Sequence, residues 1–162
     1  VYRDAVKTFP RLHGELFDRP FSLYMTKERM DDSTVVYTHF TLEFNAPVQP
    51  LLIVKKERRL HRIQKRRGKL YEHEIGWGAF DKLYLLETEE GAYLDDVFDD
   101  HLVDLFISAH PHLRGYFEIS GNELMYREVI SLTNHKARLK IQKIIELGLF
   151  FVDRLEFALN DD

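Results

Sequence analysis

Apolar and polar residues alternate along the segment Thr34–Phe44, with a period of two residues. This period is typical of a strand with one buried face. The predicted buried set is Val36, Thr38, Phe40, Leu42 and Phe44, and the opposite set is Val35, Tyr37, His39, Thr41 and Glu43. Upstream, His13–Phe17 and Phe21–Met25 flank a predicted turn at Asp18-Arg19-Pro20, and Asp31-Asp32-Ser33 supplies a second turn. The pattern therefore predicts antiparallel hairpins at the start of the chain.

Four further segments are extended in pattern. They are Leu51–Val54, Lys82–Thr88, Tyr116–Ser120 and Glu123–Ile130. Gly121-Asn122 joins the last two, and both residues accept the positive φ of a hairpin turn. Gly76-Trp77-Gly78 is a predicted turn, since it lacks the spacing and the following helix of a phosphate-binding loop.

Two segments carry apolar residues at spacings of three and four, the helical period. The first runs from Leu94 to Phe106, with Asp95 or Asp96 as the predicted N-cap and Pro111 as the stop. The second begins at a cap, Thr133 or Asn134, and runs toward Asn160. Gly148 lies within it and predicts a bend or an early end of that helix.

The order strands, helix, hairpin, helix predicts an α+β fold, a mainly antiparallel sheet with two main helices packed on one face. The 162 residues suit one domain, and with 44% hydrophobic residues the chain has enough apolar surface for a core. The absence of cysteine excludes disulfides, thiolate zinc sites and cysteine nucleophiles. We expect this sequence, which starts at Val1, to be a fragment of a longer protein.

The net charge of −4 hides a basic segment from Lys55 to Lys69, which has a local charge of +8. The candidate binding residues are Lys55, Lys56, Arg58, Arg59, Arg62, Lys65, Arg66, Arg67 and, nearby, Trp77. These cations suit lipid headgroups or the phosphates of a nucleic acid. The alternative is a solvated loop whose charges keep a sheet edge from aggregating. Trp77 with Phe80 is either an exposed contact for a protein partner or a plug of the core.

The following segment from Glu87 to Asp104 is acidic, with a local charge of −8. It can pair with the basic segment, within one molecule or between copies. A metal-dependent hydrolase is a second alternative, built on the Asp and His residues of 95–112, namely Asp95, Asp96, Asp99, Asp100, His101, Asp104, His110 and His112. Neither a calcium-loop spacing nor an HExxH motif is present, and no serine lies in a nucleophile elbow. We therefore predict no metal, no cofactor and no catalytic residue, with the ionisable side chains facing water.

Several short segments together resemble a known family. They are Gly14–Phe21, Phe80-Asp81, Leu83–Leu86, Ala92 with Leu94, and Gly121-Asn122. The chain resembles an uncharacterised bacterial domain family of unknown function, whose members often follow a pair of transmembrane helices. The resemblance implies a cytoplasmic domain that an upstream segment tethers to a membrane, and it implies no activity.

These patterns favour a non-enzymatic interaction or regulatory domain. Its expected partner is an anionic membrane surface or a protein, contacted through Lys55 to Lys69. Nucleic acid bound through the same segment is the alternative partner, and self-association of the domain remains open.

Overall fold

The computed structural model of the protein describes residues 9–47, 49–57, 71–91 and 93–160. Its strands are β1 (Arg11–Leu16), β2 (Arg19–Met30), β3 (Ser33–Glu43), β4 (Gln49–Lys56), β5 (Tyr71–His73), β6 (Tyr84–Thr88), β7 (Tyr116–Gly121) and β8 (Glu123–Val129). Its helices are α1 (Gly78–Asp81), α2 (Leu94–Val97), α3 (Asp100–Ala109) and α4 (His135–Asn160).

The strands form one sheet in the order β1-β2-β3-β8-β7-β4-β6-β5, and the pairs are antiparallel. Helices α3 and α4 pack together and cover one face, so the predicted α+β class is confirmed. Aromatic side chains fill the space between the two layers, with Phe106 in contact with Phe98, Phe117 and Phe151. Phe80 is fully buried in this core, whereas Trp77 at the start of α1 is 41% exposed.

The predicted buried face of β3 is confirmed at Thr38, Phe40, Leu42 and Phe44. His39 of the opposite set is buried as well, because it stacks on the Tyr24 ring of β2. Val36 is half-buried because the β2–β3 hairpin extends past the end of β8, whose last pair is Tyr37 with Val129.

The first turn lies one residue earlier than predicted, at Phe17-Asp18, and both residues have positive φ, 51° and 62°. Arg19 and Pro20 belong to β2, because Pro20 pairs with Glu15 and the Arg19 guanidinium is bonded to Asp153 and Glu156 of α4.

The predicted helix from Leu94 is two helices, α2 and α3, and the predicted cap at Asp95 or Asp96 is wrong for both, since these residues lie inside α2, whose N-cap is Tyr93. Asp99 caps α3, and its Oδ1 accepts a hydrogen bond of 2.9 Å from the Leu102 amide. Asp99 has the extended backbone of an N-cap, and this conformation interrupts the helix between α2 and α3.

Helix α4 begins after Asn134, whose side-chain oxygen accepts from the Ala137 amide at 2.8 Å, as one of the two predicted caps. It continues through Gly148 to Asn160, so the predicted early end is wrong. A Cβ at Gly148 would lie 3.3 Å from the Phe40 ring, and this glycine instead lets the helix approach the sheet closely. Within the described ranges, no helix combines the length and the apolar character that crossing a bilayer demands.

Candidate anion-binding surface

Cations gather at one end of the sheet. The strand register places Lys55 of β4 beside Tyr116 of β7, and Tyr116 beside Arg127 of β8. The first turns of α4 reach the same end, because Lys140 is bonded to Glu128 of β8. We call this region the basic end, and define it by Lys55, Lys56, Arg114, Arg127, Lys136, Arg138, Lys140 and Lys143.

A concave pocket of about 260 Å³ opens between the ends of these strands, and we call it the basic pocket. It is lined by Tyr37, Lys55, Lys56, Arg114, Gly115, Tyr116, Arg127, Glu128 and Val129. Four of these side chains are cations and one is an acid, so the described lining carries a formal charge of +3. Such a concentration of positive charge in a concave site attracts anions.

Ion pairs fix two of the four cations. The Lys55 Nζ lies 2.8 Å from Glu87 Oε1, which joins the basic segment of the sequence to the acidic one. The Arg127 guanidinium is bonded to Glu28 and stacks on the Tyr37 ring, 3.9 Å from its centroid. Both side chains are therefore held in the pocket wall, Lys55 by the adjacent strand β6 and Arg127 by residues of β3 and β2.

The acid in the pocket wall, Glu128, is bonded through both carboxylate oxygens. It is 3% exposed, and it accepts hydrogen bonds from the Tyr126 hydroxyl and from Lys140 Nζ. The Tyr126 hydroxyl in turn accepts from the Gly115 amide at 3.1 Å. Burial raises the pKa of Tyr126 above its ordinary value, and the neighbouring Glu128 raises it further. Glu128 is thus an exception to the expectation that the ionisable groups face water.

A second, shallower cleft of about 370 Å³ lies on the α4 side of the basic end. It is lined by three lysines, one acid, His112, Gln142 and the exposed side chain of Leu139, the charged residues being Lys136, Lys140, Lys143 and Glu146. Since Lys140 also bonds Glu128, the cleft and the basic pocket are neighbours across one ion pair. Cationic and apolar side chains therefore occur side by side on this surface.

The opposite end of the sheet is acidic. Glu43 and Glu123 pair directly across β3 and β8, and burial together with Glu43 raises the pKa of Glu123. Asp153 and Glu156 lie nearby on α4, where Arg19 binds both. In the described residues, cations therefore outnumber acids at one end of the sheet and acids outnumber cations at the other.

The candidate residues from the sequence divide into three groups. Lys55 and Lys56 line the basic pocket, and Trp77 does not line it. The remaining candidates, Arg58, Arg59, Arg62, Lys65, Arg66 and Arg67, lie outside the described residues.

The sequence reasoning missed the cations that other elements bring to this end. They are Arg114, Arg127, Lys136, Arg138, Lys140 and Lys143. For α4 a signal was present, since the stretch 135–143 has four Lys or Arg and no acid. Arg114 and Arg127 carry no such signal, because their closeness to Lys55 depends on the order of the strands.

The Asp and His residues of the hydrolase alternative do not converge. In the part of the chain that the structure describes, no three His, Asp or Glu side chains are placed to hold a metal ion. Asp99 caps α3 and bonds Arg154 at 3.1 Å, His101 packs on Phe150, and His110 packs on Tyr84. Burial lowers the pKa of His110, and the nearby Lys56 lowers it further. The structure thus assigns Asp99, His101 and His110 to capping and packing.

The fold and the pocket together define an antiparallel α+β domain with a polarised surface. No protein-family model matches the chain, and no curated protein matches it. Among solved structures, the crystal structure of the mycobacterial trehalose monomycolate transport factor A, TtfA, is similar, with a TM-score of 0.63 and 10% sequence identity. The match covers 92% of this chain and 72% of that chain, and at this identity it shows a shared fold alone.

Proposed function

We propose that the domain is a non-enzymatic interaction module that docks on an anionic membrane surface through its basic end. The observation that carries this proposal is the gathering of cations from β4, β7, β8 and α4 at one end of the sheet. The acids at the other end favour one orientation, in which the basic end faces the membrane. The exposed Leu139 beside Lys136 and Lys143 adds an apolar contact of the kind that interfacial helices use.

Electrostatic attraction of this kind is moderate in strength. A cation near an anionic leaflet contributes about 1 kcal/mol. If five of the eight cations of the basic end reach the membrane, they contribute roughly 5 kcal/mol before screening by salt. That free energy corresponds to weak association, between about 0.1 and 1 mM, if it acts alone. Stable attachment then needs a second anchor, and the family resemblance supplies one in the form of an upstream tether on the cytoplasmic side.

The structural neighbour supports the non-enzymatic part of the proposal. A protein of this fold carries the name of a transport factor for trehalose monomycolate. A role in contacting a membrane surface or a partner protein is compatible with that name, and the proposal does not extend the neighbour's cargo to this chain.

Vesicle flotation tests the proposal. Vesicles of phosphatidylcholine alone are compared with vesicles containing 30% phosphatidylglycerol, at about 50, 150 and 300 mM salt, which spans strong to weak screening. We expect binding to the anionic vesicles only, falling as salt rises. The double variant Lys136→Gln/Lys143→Gln should lose most of this binding.

A matched control carries the same change in net charge at the acidic end. This control is Ser120→Glu/Phe157→Glu, at two exposed positions, and it should bind the vesicles nearly as well as the wild-type chain. Equal losses in both variants would mean that net charge alone decides binding and would contradict the proposed orientation. Binding of a single-stranded nucleic acid at 150 mM salt without vesicle binding would replace the membrane with nucleic acid as the partner.

A further inference from the structure

The basic pocket differs from the rest of the basic end because it is concave. Lys56 lies at the end of β4, Arg114 precedes β7, and Arg127 belongs to β8, so cations approach the same cavity from three strand ends. We infer that this pocket binds a single phosphate group, as a phosphomonoester headgroup of a lipid or as a free phosphate. The inference deepens the proposed function, on which it rests for the membrane as the source of the ligand.

The pocket is net positive even after the ion pairs of Lys55 and Arg127 are counted. The described lining has a formal charge of +3, and Glu87 and Glu28, which pair with Lys55 and Arg127 from outside the lining, offset two of these charges. A phosphomonoester carries about −1.5 to −2 at pH 7, so the sign of the pocket suits it. The acid of the lining, Glu128, is buried and paired with Lys140 and Tyr126, so its negative charge is balanced by a cation outside the lining. A bound phosphate would therefore meet donors rather than bare carboxylate oxygens.

The donors are also of the types that suit phosphate. Arginine offers a planar fork that binds two phosphate oxygens at once, and lysine acts as a point charge. Arg127 is held in place through Glu28 and Tyr37, with its guanidinium partly exposed. Arg114 is exposed at the rim, where it can close over a ligand.

Gly115 sets the spacing of this wall. A Cβ at this position would lie 2.0 Å from the Arg127 carbonyl oxygen, so no other residue fits without moving β7 away from β8. This close approach of the Gly115 and Arg127 backbones brings Arg114, the residue before Gly115, near Arg127. The pocket thus depends on the sheet and is more rigid than a group of surface lysines.

The first experiment uses soluble phosphate, so that it does not depend on membrane binding. Inorganic phosphate and glycerol 3-phosphate are titrated into the full chain, and backbone amide shifts are followed by NMR, with sodium chloride at the same ionic strength as the reference. We expect saturable shifts of the Lys56, Gly115 and Tyr116 amides. Arg114→Gln should weaken phosphate binding about tenfold, which is the loss of one charge-assisted contact.

Arg138→Gln is the matched control, since it removes one exposed cation from the basic end but not from the pocket. It should leave phosphate affinity within about twofold, well below the tenfold loss that one such contact is worth. Lys56→Gln is the second pocket variant, to be used if Arg114→Gln does not fold. Absence of saturable shifts with both phosphates, or equal effects of Arg114→Gln and Arg138→Gln, would overturn the phosphate site.

The second experiment distinguishes the two sources of phosphate. Vesicles of phosphatidic acid and of phosphatidylglycerol are compared at equal surface charge, since only the first presents a phosphomonoester. Preference for phosphatidic acid that Arg114→Gln abolishes would support the headgroup, and equal binding to both with intact phosphate binding would support free phosphate. Vesicle binding without any phosphate-induced shifts would overturn the phosphate site and leave the proposed function standing. Phosphate-induced shifts without vesicle binding would overturn the proposed function and leave the phosphate site standing.

Discussion

Replacing Lys140 by methionine removes the cationic partner of the buried carboxylate of Glu128. The Glu128 side chain is 2% exposed and the Lys140 side chain 19% exposed, so water replaces the lost partner poorly. Breaking a buried ion pair on one side costs about 3 to 5 kcal/mol. Because Tyr126 still donates to the carboxylate, we expect the lower end of that range, about 3 kcal/mol.

Urea unfolding followed by circular dichroism measures this loss as a lower midpoint with an unchanged slope. The melting temperature should fall by about 6 to 12 °C, given about 2 to 4 °C per kcal/mol for a domain of this size. Lys136→Met, one turn earlier and exposed, is the control and should change the free energy of unfolding by less than about 0.5 kcal/mol.

A double variant separates the ion pair from other losses of packing. Lys140→Met/Glu128→Gln has no uncompensated charge, so it should be more stable than the sum of the two single changes predicts. A free energy of unfolding for Lys140→Met within 0.5 kcal/mol of the wild-type value, or strict additivity in the double variant, would refute the reasoning.

Three further changes test other parts of the structure. Burial lowers the pKa of His39, Arg127 and Arg11 lower it further, and Glu28 partly opposes them. The folded state therefore resists protonation of His39, so stability should fall as pH drops below about 6.5. In urea titrations at pH 7 and 5.5, His39→Phe should reduce this loss of stability, and an equal loss in the variant and the wild type would contradict the reasoning. Arg19→Met should lower the free energy of unfolding by about 2 kcal/mol at pH 7, by the same measurement. The loss should be smaller below about pH 4, because Arg19 lowers the pKa of Glu156, and protonation of Glu156 at low pH removes its attraction to Arg19. Gly148→Leu should destabilise the domain by about 3 kcal/mol or more through overpacking against Phe40. Leu149→Ala is the control at the adjacent position and should destabilise it less. A leucine variant as stable as the wild type would show that α4 shifts away from the sheet to make room.

Seven of the eight strands of the described residues were predicted from the sequence because each has its own local signal, whereas the short strand β5 was not predicted. The buried face of β3 and the Gly121-Asn122 turn are properties of adjacent residues, and both are confirmed. The break between α2 and α3 was not predicted, since apolar spacing continues through Asp99 and only the capping bond reveals the interruption. Gly148 was misread for a related reason, because its helix propensity is local and its contact with Phe40 comes from the distant strand β3.

The candidate site was predictable only where its residues are consecutive. Lys55 and Lys56 belong to a basic segment that any charge count finds. Arg114 and Arg127 are isolated in sequence, and the sheet order, in which β7 lies between β4 and β8, is what brings them to the same pocket. The network of Glu128, Tyr126 and Lys140 was missed because a buried carboxylate has the same sequence signature as an exposed one.

The segregation of charge along the strands makes the domain an electric dipole whose axis runs from Glu43 and Glu123 toward Arg127 and Lys55. In the proposed docking, a charged membrane would turn such a dipole until the basic end faces the surface. The strand ends and the first turns of α4 would then contact the membrane together. The rest of the uncovered face of the sheet would stay accessible to other macromolecules.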